Sequence, residues 1–278
     1  MRKRRYLIGA AVLAASLVVV AVALGVTTRT YTQNFATKNF TTGKVTAPVK
    51  KPGALAGTYF KERSEDPDNA EENNVPKQDA FVDDIFPKGM VLDQSVAASC
   101  HSTDDEIIQD SKPCPKKSRV GAGHGILRAN AAPSPDIEAD IDAYNCKSKC
   151  AASSSDSSIP KAKQLILFVN PHGANPVVLR GTVQGKPGSQ KLHVKVPVNC
   201  AFGTPPTCQG NPDVRIVEFE LSINKVKKTV TKNGHKVTKP FIKTPKTCPK
   251  SGKWLFTIKF HGRDGKTDTK TSKSPCKS

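Results

Sequence analysis

The chain has 278 residues, of which only 6% are aromatic, together with 19 glycines and 21 prolines. This composition favours short strands joined by many turns and argues against a helical bundle. The formal net charge is +19, and the excess of bases lies in the C-terminal half, whereas acids predominate from Glu62 to Asp110. A surface this basic concentrates polyanions near it, so the cellular compartment decides which polyanion it meets.

The N-terminus has the pattern of an export signal. Four basic residues precede the apolar run from Leu7 to Val26, whose only polar side chain is Ser16. A cationic flank before an apolar run directs export, with the cations remaining in the cytoplasm. The length matches the hydrocarbon core of a bilayer, which favours an uncleaved anchor, but Ala21-Val22-Ala23 suits a signal peptidase. We therefore predict a signal peptide or signal anchor over residues 1–26, a membrane partner through this helix, and an extracytoplasmic protein that is either anchored or secreted.

Residues 27–79 show no apolar periodicity. The first part is rich in Thr, and the second is rich in Pro and acids. Such a composition buries too little apolar surface to order a chain. It predicts a disordered linker or stalk, with a loop wrapped on the domain as the alternative around Tyr59 and Phe60. The folded domain is then expected over residues 80–278.

Eight cysteines follow the targeting segment. An even number in an exported chain predicts four disulfides. Eight cysteines allow many pairings, so the connectivity stays open, and the nearest-neighbour set is the one that we favour. That set is Cys100–Cys114, Cys146–Cys150, Cys200–Cys208 and Cys248–Cys276. Zinc is the alternative for the C-x3-C spacing of Cys146 and Cys150, but no second pair with zinc-finger spacing follows, and we expect no cofactor or metal.

Beyond residue 80 the pattern is mainly that of strands. Ser102 to Glu106 has the form of a capping box and predicts one short helix. About nine strands follow. Residues 136–144, 177–183, 192–198 and 214–226 alternate, the last with a slip in phase at Val217–Glu218, whereas residues 164–169 are continuously apolar. Asn233-Gly234 between two mirrored arms predicts a hairpin with a type I′ turn. Arg263 to Lys266 suggests a second turn of this type. The sequence therefore predicts a mainly β protein, an antiparallel β-sandwich with one short helix.

Two Cys-Pro segments carry a family resemblance. Cys100…Cys114-Pro115-Lys-Lys-Ser118-Arg-Val120-Gly121 and the tail Cys248-Pro249-Lys-Ser-Gly252-Lys-Trp254…Ser274-Pro275-Cys276 resemble elements of uncharacterised secreted and surface-attached β-sandwich proteins of actinobacteria. The resemblance covers roughly residues 80–278. It implies an exported β-sandwich and a Cys248–Cys276 bridge, and it supplies no activity and no catalytic residues.

No catalytic or metal-binding motif stands out, so we expect a protein that is not an enzyme. The six histidines form no ligand motif, and the Gly-x-Ser-x-Gly nucleophile elbow is missing. The most site-like acids alternate along one predicted strand, namely Asp136, Glu138, Asp140 and Asp142. Neighbours on one face of a strand lie nearly 7 Å apart, so a solvated face is a better interpretation than a Ca²⁺ site.

The lysine-rich segment around the Asn-Gly hairpin is the strongest candidate for binding. The possible polyanion-binding residues are Lys225, Lys227, Lys228, Lys232, Lys236, Lys239, Lys243 and Lys246. Because aromatic side chains are not interleaved with them, nucleic acid is not expected. The leading hypothesis is a cell-envelope or surface module whose basic face contacts anionic wall or membrane polymers, or a surface protein. The alternatives are an exported enzyme or enzyme-assisting domain, and a secreted module that binds a small ligand or a protein.

Overall fold

The structure, a computed structural model, describes residues 27–72, 74–109, 114–130, 136–154, 156–198 and 213–277. The predicted targeting segment 1–26 and the predicted Cys200–Cys208 bridge lie outside these ranges. Within them, no helix has the length and apolar character needed to span a bilayer.

The described residues form sixteen strands and one short α-helix, so the predicted mainly β, antiparallel character is confirmed. The strands are β1 (Thr28–Asn34), β2 (Leu55–Ala56), β3 (Thr58–Glu65), β4 (Asp79–Ile85), β5 (Val91–Leu92), β6 (Arg119–Ala129), β7 (Ile137–Ser148), β8 (Ala162–Pro171), β9 (Val177–Lys186), β10 (Ser189–Lys195), β11 (Val214–Ile223), β12 (Lys227–Lys232), β13 (His235–Pro240), β14 (Ile242–Lys243), β15 (Lys253–Gly262) and β16 (Thr267–Pro275). The helix is α1 (Asp104–Gln109), and short 3-10 helices cover Ala70–Glu72 and Lys116–Ser118.

Eleven of these strands form one sheet, in the order β1-β3-β11-β6-β7-β8-β9-β10-β4-β15-β16. Every neighbouring pair is antiparallel. The sheet rolls up until its two edge strands, β1 and β16, lie side by side. Eleven is an odd number, so these edge strands run parallel to each other. We call this junction the seam and the whole the rolled sheet.

The seam is joined by serine hydroxyls. Ser272 Oγ accepts a hydrogen bond from Gln33 N and donates one to Gln33 O, both at 2.9 Å. Ser274 Oγ accepts from Phe35 N at 3.2 Å. These bonds satisfy backbone groups at the edge of the sheet that would otherwise be buried without a partner.

Apolar side chains on the inward faces of the strands fill the rolled sheet. On β15 the alternation places Trp254, Phe256, Ile258 and Phe260 inside and leaves Leu255 half exposed. This period of two follows from the pleat of a strand, in which successive side chains point to opposite faces.

The two ends of the rolled sheet differ. At the lower end, where β1 stops, the three-stranded sheet β2-β14-β5 covers the interior. Phe35 packs there edge-on against Trp254, with ring centroids 5.2 Å apart. At the upper end, β1 and β16 begin, and segments around Pro76 and Val196 lie over the interior.

A small outer layer covers strands β7 to β9. The helix α1 packs there with the Cys100–Cys114 and Cys146–Cys150 disulfides around Ile107. The predicted capping box is confirmed: Glu106 N donates to Thr103 Oγ1 at 3.2 Å, and Thr103 N donates to Glu106 Oε2 at 2.8 Å.

Three details of the sequence prediction were wrong. Eleven strands form one rolled sheet, and the other five form two small sheets, so the fold is not the two facing sheets of a sandwich. The predicted linker over 27–79 contains β1 and β3, which are two strands of that sheet. The turn before β16 is not type I′, because only Gly265 has a positive φ there, whereas the predicted Asn233-Gly234 turn has positive φ at both positions, 49° and 77°.

Candidate functional site

The hairpin β12–β13 forms a separate two-stranded sheet at the lower end of the molecule. It leaves β11 after Ile223 and returns to the small sheet through Phe241 and Ile242, both buried. Phe241 N donates to Val226 O at 2.9 Å and closes the base of the hairpin. The Asn-Gly turn thus extends away from a fixed base, and we call residues 225–240 the lysine hairpin.

Six of the eight predicted lysines belong to the lysine hairpin, and all six are exposed. They are Lys225, Lys227, Lys228, Lys232, Lys236 and Lys239. Lys228 lies directly opposite Lys239, and Lys232 opposite His235. Like charges directly opposite each other destabilise a strand pair. Val230 faces Val237 between these two pairs, so the face combines cations with a small apolar centre.

The other two predicted lysines lie outside the hairpin. Lys243 is on β14, half-buried, with its Cε 3.8 Å from the position of a Cβ on Gly53. Lys246 is exposed in the following loop. In the described part of the chain, none of the eight forms an ion pair, whereas Lys38, Lys61 and Lys191 do.

Three of the four predicted disulfides are confirmed: Cys100–Cys114, Cys146–Cys150 and Cys248–Cys276. The last one joins the end of β16 to the loop before β15, below the seam. None of the described cysteines is free, which agrees with oxidised sulfur and leaves no thiolate pair for zinc there.

A cavity of about 180 Å³ lies inside the rolled sheet. Its walls are mainly apolar, including Phe60, Leu167, Leu192, Ile258 and Phe260. Sequence reasoning missed it, because an inward-facing apolar side chain has the same pattern whether it fills a core or lines a cavity.

Charged side chains line the upper part of the cavity. Arg29 donates two parallel hydrogen bonds to Asp79, both 2.9 Å long, and its guanidinium lies 4.1 Å from the centre of the Phe260 ring. The nitrogens of the same guanidinium lie 3.7 Å from Glu62 Oε1 and 3.8 Å from Asp268 Oδ2. Burial raises the pKa of Glu62 to about 8, an effect that Arg29 opposes and Asp79 strengthens. Burial likewise raises the pKa of Asp79, although its bonds to Arg29 oppose the shift.

A chain of hydrogen bonds leads from the seam to a carboxyl deeper in the cavity. Tyr31 donates its hydroxyl to Gln33 Oε1, and Gln33 Nε2 donates to Asp84 Oδ2 at 2.9 Å. Burial raises the pKa of Asp84 to about 7, against the effect of the Gln33 bond. The other oxygen, Oδ1, is buried and has no hydrogen-bond partner among the described residues. Burial also raises the pKa of the Tyr31 hydroxyl.

The predicted acid row lies on the outer face of β7 and the residue before it. Arg128 pairs with Asp136 at 2.6 Å, and Arg119 Nε donates to Asp142 at 2.7 Å. His172 lies 3.1 Å from Asp140. Separate partners of this kind agree with a solvated face, and the described residues contain no cluster of His, Cys, Asp or Glu able to hold a metal.

Asp83, on the outer face of β4, gathers three basic side chains. Lys191 is 3.0 Å and His193 Nδ1 2.8 Å away, with His261 at 3.7 Å stacked on Phe81. The bonds from His193 and Lys191 lower the pKa of Asp83 although partial burial opposes them. His193 thus lies in an ion-paired position and is half-buried.

A scan against protein-family models finds no match for this chain. Searches of the curated proteins and of the solved structures find no match either.

Proposed function

We propose that the chain is an exported, non-enzymatic module of the cell envelope that binds anionic wall or membrane polymers through the lysine hairpin. The observation that carries this proposal is the hairpin, which places six exposed lysines on one projection with no acid between residues 225 and 240. Among the residues that the structure describes, none pairs with these six lysines. A polyanion would relieve the repulsion between the facing lysines Lys228 and Lys239.

Export is the second part of the proposal. It is supported by the three disulfides, because such bonds persist in oxidising compartments. The cationic and apolar pattern of residues 1–26 supports it independently. In this proposal that segment is a signal peptide or membrane anchor, and the resemblance to secreted actinobacterial proteins agrees with it.

The chemistry of the hairpin favours phosphate-bearing polymers as partners. A lysine ammonium acts as a point charge that binds phosphate without a fixed geometry. A repeating chain of phosphates therefore suits a flexible row of lysines better than a single shaped ligand does.

The experiment is salt elution of the full oxidised chain from immobilised inorganic polyphosphate. The hairpin variant replaces Lys228, Lys232, Lys236 and Lys239 by Gln, and the control variant makes the same change at four exposed lysines elsewhere. Those four are Lys250, Lys253, Lys266 and Lys273. We expect the slope of log affinity against log salt to fall by about one unit for each lysine that contacts the polymer, in the hairpin variant only. Equal weakening of both variants would show that net charge, not the hairpin, attracts the polymer.

A further inference from the structure

We infer that the interior cavity binds a small apolar molecule carrying one protonated amine, and that the amine donates a hydrogen bond to Asp84 Oδ1. This inference does not rest on the proposed polymer binding. The cavity is inside the rolled sheet and its charged end is the upper one, whereas the lysine hairpin leaves from the lower end.

The apolar part of the ligand follows from the size and walls of the cavity. Leu167, Leu192 and Ile258 line it together with other aliphatic and aromatic side chains. An engineered apolar cavity of about 150 Å³ accommodates benzene, so the 180 Å³ found here suits a group of similar or slightly larger size.

The polar part of the ligand follows from Asp84. Only 8% of this residue is exposed, it lines the cavity, and Oδ1 has no partner in the described part of the chain. A buried acceptor without a partner is destabilising, and a donor that reaches it recovers the lost interaction. Among the described residues, no donor therefore reaches Asp84 Oδ1, and a ligand can supply one.

Charge selects an amine over a neutral donor. Three acids, Glu62, Asp79 and Asp84, and three bases, Arg29, Lys77 and Arg215, line the cavity. Arg29 pairs with Asp79, and Arg215 pairs with Asp213. In the described part of the chain Asp84 itself forms no ion pair, so its carboxylate has no cation beside it, and an ammonium group meets that need better than a neutral donor does.

The bond network fixes which oxygen of Asp84 is available. Gln33 Oε1 accepts from Tyr31, so its Nε2 points at Asp84 Oδ2 and requires an acceptor there. In Asp84→Asn the amide oxygen must take that place, and the amide nitrogen then occupies the position of Oδ1. The substitution converts the open acceptor into a donor at nearly constant shape.

The experiment titrates the full oxidised chain with hexylamine, hexan-1-ol, hexanoate and hexan-2-one by calorimetry at pH 8. We expect saturable 1:1 binding of hexylamine, with hexan-1-ol and hexanoate at least about tenfold weaker, because a charge-assisted bond is the stronger kind. Asp84→Asn should lose hexylamine and gain hexan-2-one, whereas Asp84→Leu should bind neither with preference. Asp105→Asn, a matched change on the exposed face of α1, should behave as wild type.

Three results would overturn the inference. They are no saturable binding of hexylamine, equal binding of all four probes, and hexylamine binding that Asp84→Asn and Asp84→Leu leave unchanged. Near-ultraviolet circular dichroism of each variant shows whether the rolled sheet is intact. If Asp84→Leu fails to fold, the change of ligand preference in Asp84→Asn still tests the inference. Retention of the same samples on polyphosphate tests the hairpin proposal separately, so one proposal can fail while the other holds.

Discussion

Arg180 donates from Nε to Asp104 Oδ1 at 2.6 Å, in an ion pair whose side chains are 0% and 2% exposed. The other guanidinium nitrogens donate to Gln164 Oε1 and Ser102 O, each at 2.8 Å. Asp104 Oδ2 accepts from Ser154 N at 2.6 Å. The pair therefore ties the outer face of β9 to the first turn of α1 with its hydrogen bonds satisfied.

Arg180→Met should lower the free energy of unfolding by about 3–5 kcal/mol, because it leaves the Asp104 carboxylate buried without its cation. The double variant Arg180→Met, Asp104→Leu removes both charges and should recover much of that loss. Urea unfolding of the three proteins measures the difference. A single variant as stable as the double one would contradict this account.

Apolar patterns in the sequence, including period-two alternation, located most of the sheet. Alternation predicted strands within β7 and β9 to β11, and other apolar patterns predicted those within β6, β8 and β15. The phase slip at Val217 coincides with the register shift between Ile216 and Glu218. Short sequence motifs also predicted the Asn233-Gly234 turn and the capping box correctly. These features depend on neighbouring residues, so the sequence alone contains them.

The first two long strands were missed because their inward faces are largely polar. β1 directs Arg29 and Gln33 into the cavity and exposes Thr28 and Thr30. β3 likewise directs Glu62 inward. Phe60 alone on the inward face of β3 makes no apolar alternation, and the composition of the segment resembles that of a disordered linker. Arg29, Gln33 and Glu62, the polar residues that remove the apolar pattern from these strands, are also residues that line the cavity.

The two candidate sites also differ in whether the sequence alone could identify them. The lysine hairpin is local, and its residues could be identified from the sequence. The cavity gathers side chains from β1, β3 and β4, which are distant along the chain, and their proximity depends on the order of strands in the sheet. One signal was available: two acids, Asp83 and Asp84, interrupt an otherwise apolar strand.

The disulfides should differ in their contribution to stability. Cys248–Cys276 spans 28 residues and Cys146–Cys150 spans 4. In the chain-entropy account, replacing the first pair by Ser should lower the free energy of unfolding by roughly 3.5 kcal/mol, and replacing the second by roughly 2 kcal/mol. Urea unfolding of both double variants gives the order. The reverse order would mean that interactions in the folded state, rather than loop length, control the loss.

Stability should fall as the pH rises from about 4 to about 8. Burial raises the pKa of Glu62 to about 8 and of Asp84 to about 7, so in this range the folded state holds protons that the unfolded chain releases. Each group lowers the free energy of unfolding by up to about 1.4 kcal/mol per pH unit. Below this range Asp83, whose pKa is lowered, gives the opposite slope. Urea unfolding at pH 5 and pH 9 measures the effect.

The variant Glu62→Gln, Asp84→Asn should flatten this dependence, since neither amide titrates. Asp105→Asn, on the exposed face of α1, serves as the matched control and should keep the wild-type slope. An unchanged slope in the cavity variant would show that other groups control the pH dependence.

The seam should be a weak point of the rolled sheet, because β1 and β16 meet through serine hydroxyls. Ser272→Ala removes the two 2.9 Å bonds to the backbone of Gln33, a residue only 3% exposed. The backbone groups left without partners should lower the free energy of unfolding by about 1–3 kcal/mol. Hydrogen exchange of the Gln33 amide should accelerate more than that of amides in β8, at the middle of the sheet. Ser251→Ala removes an exposed hydroxyl and should change neither quantity. If the Gln33 amide exchanges at the wild-type rate in Ser272→Ala, backbone contacts rather than the hydroxyl close the seam.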